Sequence, residues 1–102
     1  MDRKAVKVVK RFIRKVSKYL KVEKAILFGS RVRDEWLEDS DIDLIVVSPV
    51  NGIHFTDRAI LLYRLWNDNY PLEVLCYTPE EFKKKIRQIG IVKEAVREGI
   101  VL

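Results

Sequence analysis

Cysteine, methionine and histidine each occur once in this chain of 102 residues, and there are only three prolines and four glycines. These scarcities exclude several classes of protein. A lone cysteine, Cys76, cannot form an intrachain disulfide, and its apolar neighbours suit a small buried hydrophobe. No apolar run approaches the roughly 18–20 residues that a membrane-spanning helix requires. The opening Met1-Asp2-Arg3-Lys4 leads into an amphipathic pattern, not into the apolar block of a signal peptide. Repeats, low-complexity tracts and linkers are also missing. The expectation is one soluble domain over residues 1–102, in a reducing, cytoplasmic setting. The scarcity of Asn, Gln, Met and Cys beside 34% charged residues leans toward a thermophilic composition.

Hydrophobic side chains are plentiful, at 48%, enough to build a core. The net charge of +5 is unevenly spread. Residues 1–24 carry ten Lys/Arg against two acids, a net of +8, and residues 25–102 carry ten against thirteen, a net of −3. A basic segment can attract phosphate, nucleic acid or an acidic partner, and the plain alternative is the solvated face of an amphipathic helix.

Val6, Val9, Phe12, Ile13, Val16, Tyr19 and Leu20 recur at helical spacing and predict a helix over about residues 2–20. Ala25 to Phe28, ending at Gly29, reads as a buried strand. Arg31 to about Leu37 reads as a short helix capped by Ser30. Residues 41–47 form a second strand, followed by the turn cluster Ser48-Pro49-Val50-Asn51-Gly52. A helix follows over about Thr56–Asn67, then a strand over Pro71–Tyr77. Thr78-Pro79-Glu80-Glu81 is a helix start with N-cap, proline and capping box, and that helix runs to about Ile89. A last helix begins near Ile91 and stops at Gly99. This order implies an α/β (α+β) domain, a small mixed or parallel sheet with helices packed on it.

Two aspartates one residue apart, Asp41 and Asp43, open the second strand. Side chains at i and i+2 of a strand share a face, so the two like charges sit together and gain nothing from it without a cation between them. Carboxylates are hard oxygen ligands suited to Mg²⁺, which binds through one or two of them plus substrate phosphates. Glu73 is the only charged residue between Leu72 and Tyr77 and is the candidate third carboxylate. The alternatives are a sheet edge or a lysine partner for Glu73, and a solvated strand start for the aspartates. Gly29-Ser30 ends the first strand where free backbone N–H groups would suit a phosphate. His54, Trp36, Trp66, Tyr63 and Tyr70 carry no comparable signal.

Gly29-Ser30, then ten residues, then Asp41-Ile42-Asp43 resembles the signature of the DNA polymerase β-like nucleotidyltransferase superfamily. The intervening Arg31-Val32-Arg33 and Ser40 bring it close to the minimal nucleotidyltransferases, and the resemblance covers essentially the whole chain. Departures are Val32 for the usual Ala, Asp34 for the usual Gly and Glu73 for a third carboxylate that is often Asp. Asp34 replaces a glycine, a residue used where the backbone angle is unusual, and Asp tolerates such angles better than most residues.

The resemblance implies a nucleotidyltransferase fold and transfer of a nucleoside monophosphate, AMP from ATP, to an acceptor hydroxyl. It implies Asp41, Asp43 and Glu73 as catalytic and metal ligands for Mg²⁺, two ions in all, with Gly29, Ser30, Arg33 and Ser40 at the nucleotide. Arg33 could equally form a structural ion pair with Asp34 or Glu38. The family's small members pair with a helical HEPN toxin and act as antitoxins by modifying its tyrosine. That partner is the expectation here, with no membrane. The competing readings are a binding module that neutralises a partner without turnover, and nucleic-acid binding through the basic first helix.

Overall fold

A computed structural model describes all residues from Met1 to Leu102. The elements run α1 (Arg3–Val16), β1 (Lys24–Phe28), β2 (Ile42–Val47), α2 (Phe55–Leu65), β3 (Leu72–Tyr77), α3 (Pro79–Lys85), α4 (Ile91–Glu98) and β4 (Ile100–Val101). The four strands form one mixed sheet in the order β3-β2-β1-β4. β1 is antiparallel to both β2 and β4, and β2 is parallel to β3. No helix is long and apolar enough to cross a membrane.

Both faces of the sheet are covered, which is why β1 and β2 read as nearly continuous apolar runs. Ala25, Leu27, Ile42, Leu44, Val46, Val74 and Cys76 pack with Val9, Phe12 and Val16 of α1 and Leu62 of α2. On the other face Ile26, Phe28, Ile45, Val47 and Tyr77 pack with Phe82 of α3 and Val92 and Ala95 of α4. Strand parity therefore assigns Asp43 to the α3/α4 face, with Ile45 and Val47. Glu73 shares that face with Leu75 and Tyr77.

Asp2 starts α1, accepting from the N–H groups of Lys4 (3.1 Å) and Ala5 (3.2 Å). The helix ends at Val16, short of the expected Leu20. The Ser17 hydroxyl donates to Ile13 O (2.7 Å), and residues 18–20 tighten into turns. Tyr19, expected on the apolar face, is 68% exposed. α3 begins as expected, with Thr78, Pro79 and Glu81 forming a complete capping box, but it ends at Lys85. At the third strand Pro71 lies just outside β3. The Tyr63 hydroxyl of α2 accepts from Val74 N–H (3.2 Å) on this edge strand, so it quiets one ladder group that β2 does not take.

Two differences from the sequence reading matter most. β4 was not anticipated, because two residues carry no periodicity. It docks because Gly99 lets the chain turn tightly onto β1: a Cβ there would sit 2.3 Å from Ala95 O and 2.6 Å from Ile26 Cγ2. The short helix expected over Arg31–Leu37 is a string of turns. Gly29 O accepts from both Val32 N–H and Arg33 N–H, and Ser30 O accepts from Glu35 N–H. Asp34 then adopts φ 63°, a left-handed conformation that ends any helical path.

Candidate active site

β1 ends where β2 and β3 begin, so one end of the sheet gathers the Gly29-Ser30 turn and all three candidate acids. Asp43 pairs in register with Phe28 on one side and with Glu73 on the other. Adjacent strands lie about 4.8 Å apart, so the Asp43 and Glu73 side chains leave the same face side by side. Asp41 lies two residues before Asp43, just ahead of β2. Asp41 and Glu73 are exposed and Asp43 is half-buried. Glu73 sits on an edge strand, as the plain alternative had it, yet it has no ion-pair partner, lysine or otherwise.

Electrostatics mark this end of the sheet. The Asp43 carboxyl is pushed up to about 6, first by burial and then by the negative charges of Glu73 and Asp41, with Arg33 opposing and Glu98 adding to the rise. The structure thus holds an acid where negative charge is disfavoured, the condition that a bound cation would relieve. The three carboxylates are not already closed around a common centre as a metal cage. Their donor chemistry nevertheless fits a hard divalent cation that keeps open positions for phosphate oxygens.

Gly29 is fitted to Asp43. Its φ is 85°, and a Cβ there would lie 2.1 Å from Asp43 Oδ2. Only glycine lets the turn and the carboxylate share that space. The N–H groups of Gly29, Ser30 and Arg31 find no acceptor within the protein. Gly29-Ser30 therefore forms a turn with free donors and not the helix N-terminus that was expected.

Arg33 is ion-paired, but not with Asp34 or Glu38. It donates to Glu98 (2.8 Å) at the end of α4 and to Glu35 (3.2 Å), and Glu98 above all raises its pKa. The Met1 amino group instead pairs with Asp34. The Ser40 Oγ accepts from Leu37 N–H (2.8 Å), shaping the loop ahead of Asp41.

Sequence reasoning passed over Arg31 and Asp2. Arg31 is 2% exposed and its guanidinium is filled with bonds: Ser40 O at 3.0 Å from Nε and 2.7 Å from Nη2, Glu38 O at 3.2 Å, and Asp2 Oδ2 at 2.5 Å. The Tyr70 ring lies 4.9 Å from the guanidinium centre. Nothing local announces a pair 29 residues apart. The one usable hint is an Asp at the N-cap of α1 in a segment otherwise full of cations.

The order β3-β2-β1-β4 sets acids at the start of two parallel strands, beside a Gly-Ser turn. The chain belongs to the nucleotidyltransferase domain family, whose model matches residues 9–101. It is a nucleotidyltransferase. A relative from Methanocaldococcus jannaschii, named "putative protein adenylyltransferase MJ0604", is 33% identical over 98 residues, covering 94% of this chain and 95% of that protein. The fold is also that of a solved structure described as a putative nucleotidyltransferase from Sulfolobus solfataricus. The two share 20% identity with a TM-score of 0.70, over 98% of this chain and 80% of the other.

Proposed function

We propose that this nucleotidyltransferase moves AMP from ATP to a hydroxyl on a partner protein, with Asp41, Asp43 and Glu73 as the metal-binding and catalytic acids. The carrying observation is the register pairing of Asp43 with Glu73, beside Asp41, in a setting that disfavours the charge of Asp43. Mg²⁺ bound there would neutralise phosphate charge and, as a pair of ions, stabilise both the entering and leaving oxygens of an in-line displacement at the α-phosphorus. Gly29 and Ser30 bring free N–H donors to the triphosphate, and Glu73, exposed on the edge strand, takes the hydroxyl proton. Arg33 and Ser40 flank the nucleotide, each already held by a neighbour. The acceptor proposed is a tyrosine of a small helical HEPN protein, which makes this chain an antitoxin. The family resemblance and the relative's name as a protein adenylyltransferase support that reading.

Calorimetry with ATP and Mg²⁺ tests the site. Binding should require Mg²⁺ and vanish in the Asp41→Ala, Asp43→Ala double variant; equal binding in both proteins rejects the assignment. Mass spectrometry of proteins recovered with the chain from its native source tests the acceptor. A tyrosine carrying a mass increase of one AMP is expected, and recovery of unmodified partners only would reject protein adenylylation. In the non-catalytic alternative, a partner binds tightly but is never modified.

A further inference from the structure

We infer that Arg31, held by Asp2, is a positioning residue that sets where the carboxylate strand begins. The inference rests on the site assignment above. Residues 29–41 contain no helix or strand, yet they carry the Gly29-Ser30 turn at one end and Asp41 at the other. Turn hydrogen bonds order the first half of this segment. In the second half Ser40 and Leu37 bond each other, and one side chain, Arg31, ties that turn back to α1. Arg31 reaches back across the loop, places two donors on Ser40 O and a third on Glu38 O, and does so from a site closed to water. Ser40 is the residue before Asp41, so the guanidinium fixes the peptide from which Asp41 springs.

Asp2 fixes the guanidinium in turn. Its carboxylate takes Arg31 Nη1 with Oδ2 and caps α1 with Oδ1, while its backbone N–H donates to Arg31 O at 2.7 Å. The brace therefore ties the acids to a packed helix and not to solvent. The geometry also shows what Arg31 leaves alone. All of its donors go to carbonyls and Asp2, and none to Asp41, Asp43 or Glu73, so it orders the acids without neutralising them. A planar fork is needed for this; an ammonium would keep the charge for Asp2 but could not span Ser40 O and Glu38 O together.

The test uses the full chain and three variants. Arg31→Lys keeps the charge and loses the fork. Asp2→Asn keeps a good helix cap and weakens the grip on Arg31. Arg58→Lys makes the same change at a buried arginine of α2, which braces the opposite end of β3 from Glu73. Calorimetry measures ATP affinity in Mg²⁺, Mn²⁺ titration followed by electron paramagnetic resonance measures metal affinity, and thermal melting measures stability. Displacements of an ångström in a positioned group cost up to about a hundredfold in function. Arg31→Lys should weaken Mn²⁺ and ATP binding by about tenfold or more, Asp2→Asn by less, and Arg58→Lys not at all, even where all three lower the melting temperature. If Arg31→Lys and Arg58→Lys lose stability alike and both bind like wild type, Arg31 is only a structural brace and the inference fails while the site stands. If wild type itself binds no ATP in Mg²⁺, the site assignment fails and the inference falls with it.

Discussion

Two buried arginines hold opposite ends of this sheet, and they differ in what they do with charge. Arg58, 7% exposed in α2, donates to Ile53 O (2.8 Å), Cys76 O (3.3 Å) and Glu81 Oε1 (2.6 Å). Glu81 also takes Thr78 N–H (2.8 Å) and closes the capping box of α3. At that end a cation and an anion meet within one network, and the structure is complete. Arg31 performs the same carbonyl bracing at the other end but pairs with Asp2, a residue outside the acid cluster. Asp43 is left with Arg33 as the one cation opposing its rise, itself shared with Glu35 and Glu98. Local stability would favour a cation bonded to the acids. The proposed binding of a metal and a nucleotide requires that they stay unsatisfied, and the fold stabilises the loop by other means.

The comparison breaks most visibly at Arg58. Replacing it with Met leaves two carbonyls without their donor and the Glu81 carboxylate, 41% exposed, with Thr78 N–H alone, a loss of about 2 kcal/mol once solvent screening of Glu81 is allowed for. Chemical denaturation should show that loss, while ATP binding in Mg²⁺ stays at the wild-type level. An equal loss of ATP affinity would mean that the two ends are not independent.

A smaller stability effect with a large functional one is expected at Gly29. Alanine there must adopt φ 85° and push its Cβ against the Asp43 carboxylate. The backbone cost is about 1–2 kcal/mol. The displaced carboxylate should abolish measurable ATP binding, even in protein that still melts cooperatively. Wild-type affinity in Gly29→Ala would separate the turn from the acids.

The smallest effect has the opposite sign at the two ends. Asp43 titrates near 6 in the folded protein, above its ordinary 3.8, so its ionised form opposes folding. Without divalent cation, its contribution makes stability rise as pH falls through 6 toward 4. Asp43→Asn should remove that rise and stabilise the metal-free protein at pH 7–8 by about 1 kcal/mol, a figure reduced for the water that still reaches this half-buried group. Glu81 is shifted the other way: the Arg58 hydrogen bond holds its carboxyl below the usual range. Its stabilisation is present above the ordinary carboxylate pKa and is lost as pH falls through the lowered one. Melting curves of Asp43→Asn and Glu81→Gln across pH 3–8 should therefore flatten opposite limbs of the profile. A flat wild-type profile above pH 4 would show that Asp43 is not under strain.

Much of this was legible in the sequence because the signals are local. Apolar spacing marked α1, the Thr78-Pro79-Glu80-Glu81 start marked α3, and alternation around Asp41 and Asp43 set both acids on one face. The errors are of another kind. Residues 31–37 have helical composition, and only the left-handed Asp34, together with the turn bonds to Gly29 and Ser30, prevents a helix. β4 exists only because β1 offers an edge for Ile100 and Val101 to pair with.

By itself the sequence determined the acids, the Gly-Ser turn, their spacing and hence the family, since motif chemistry depends on residue type and separation along the chain. Only the tertiary structure decided that Glu73 stands beside Asp43 and that Gly29 must lack a side chain to make room for the carboxylate. It also decided that Arg31 reaches Asp2 and Ser40 O rather than the acids. Those are relations between residues brought together by sheet register and burial, and neither register nor burial is encoded at any one position.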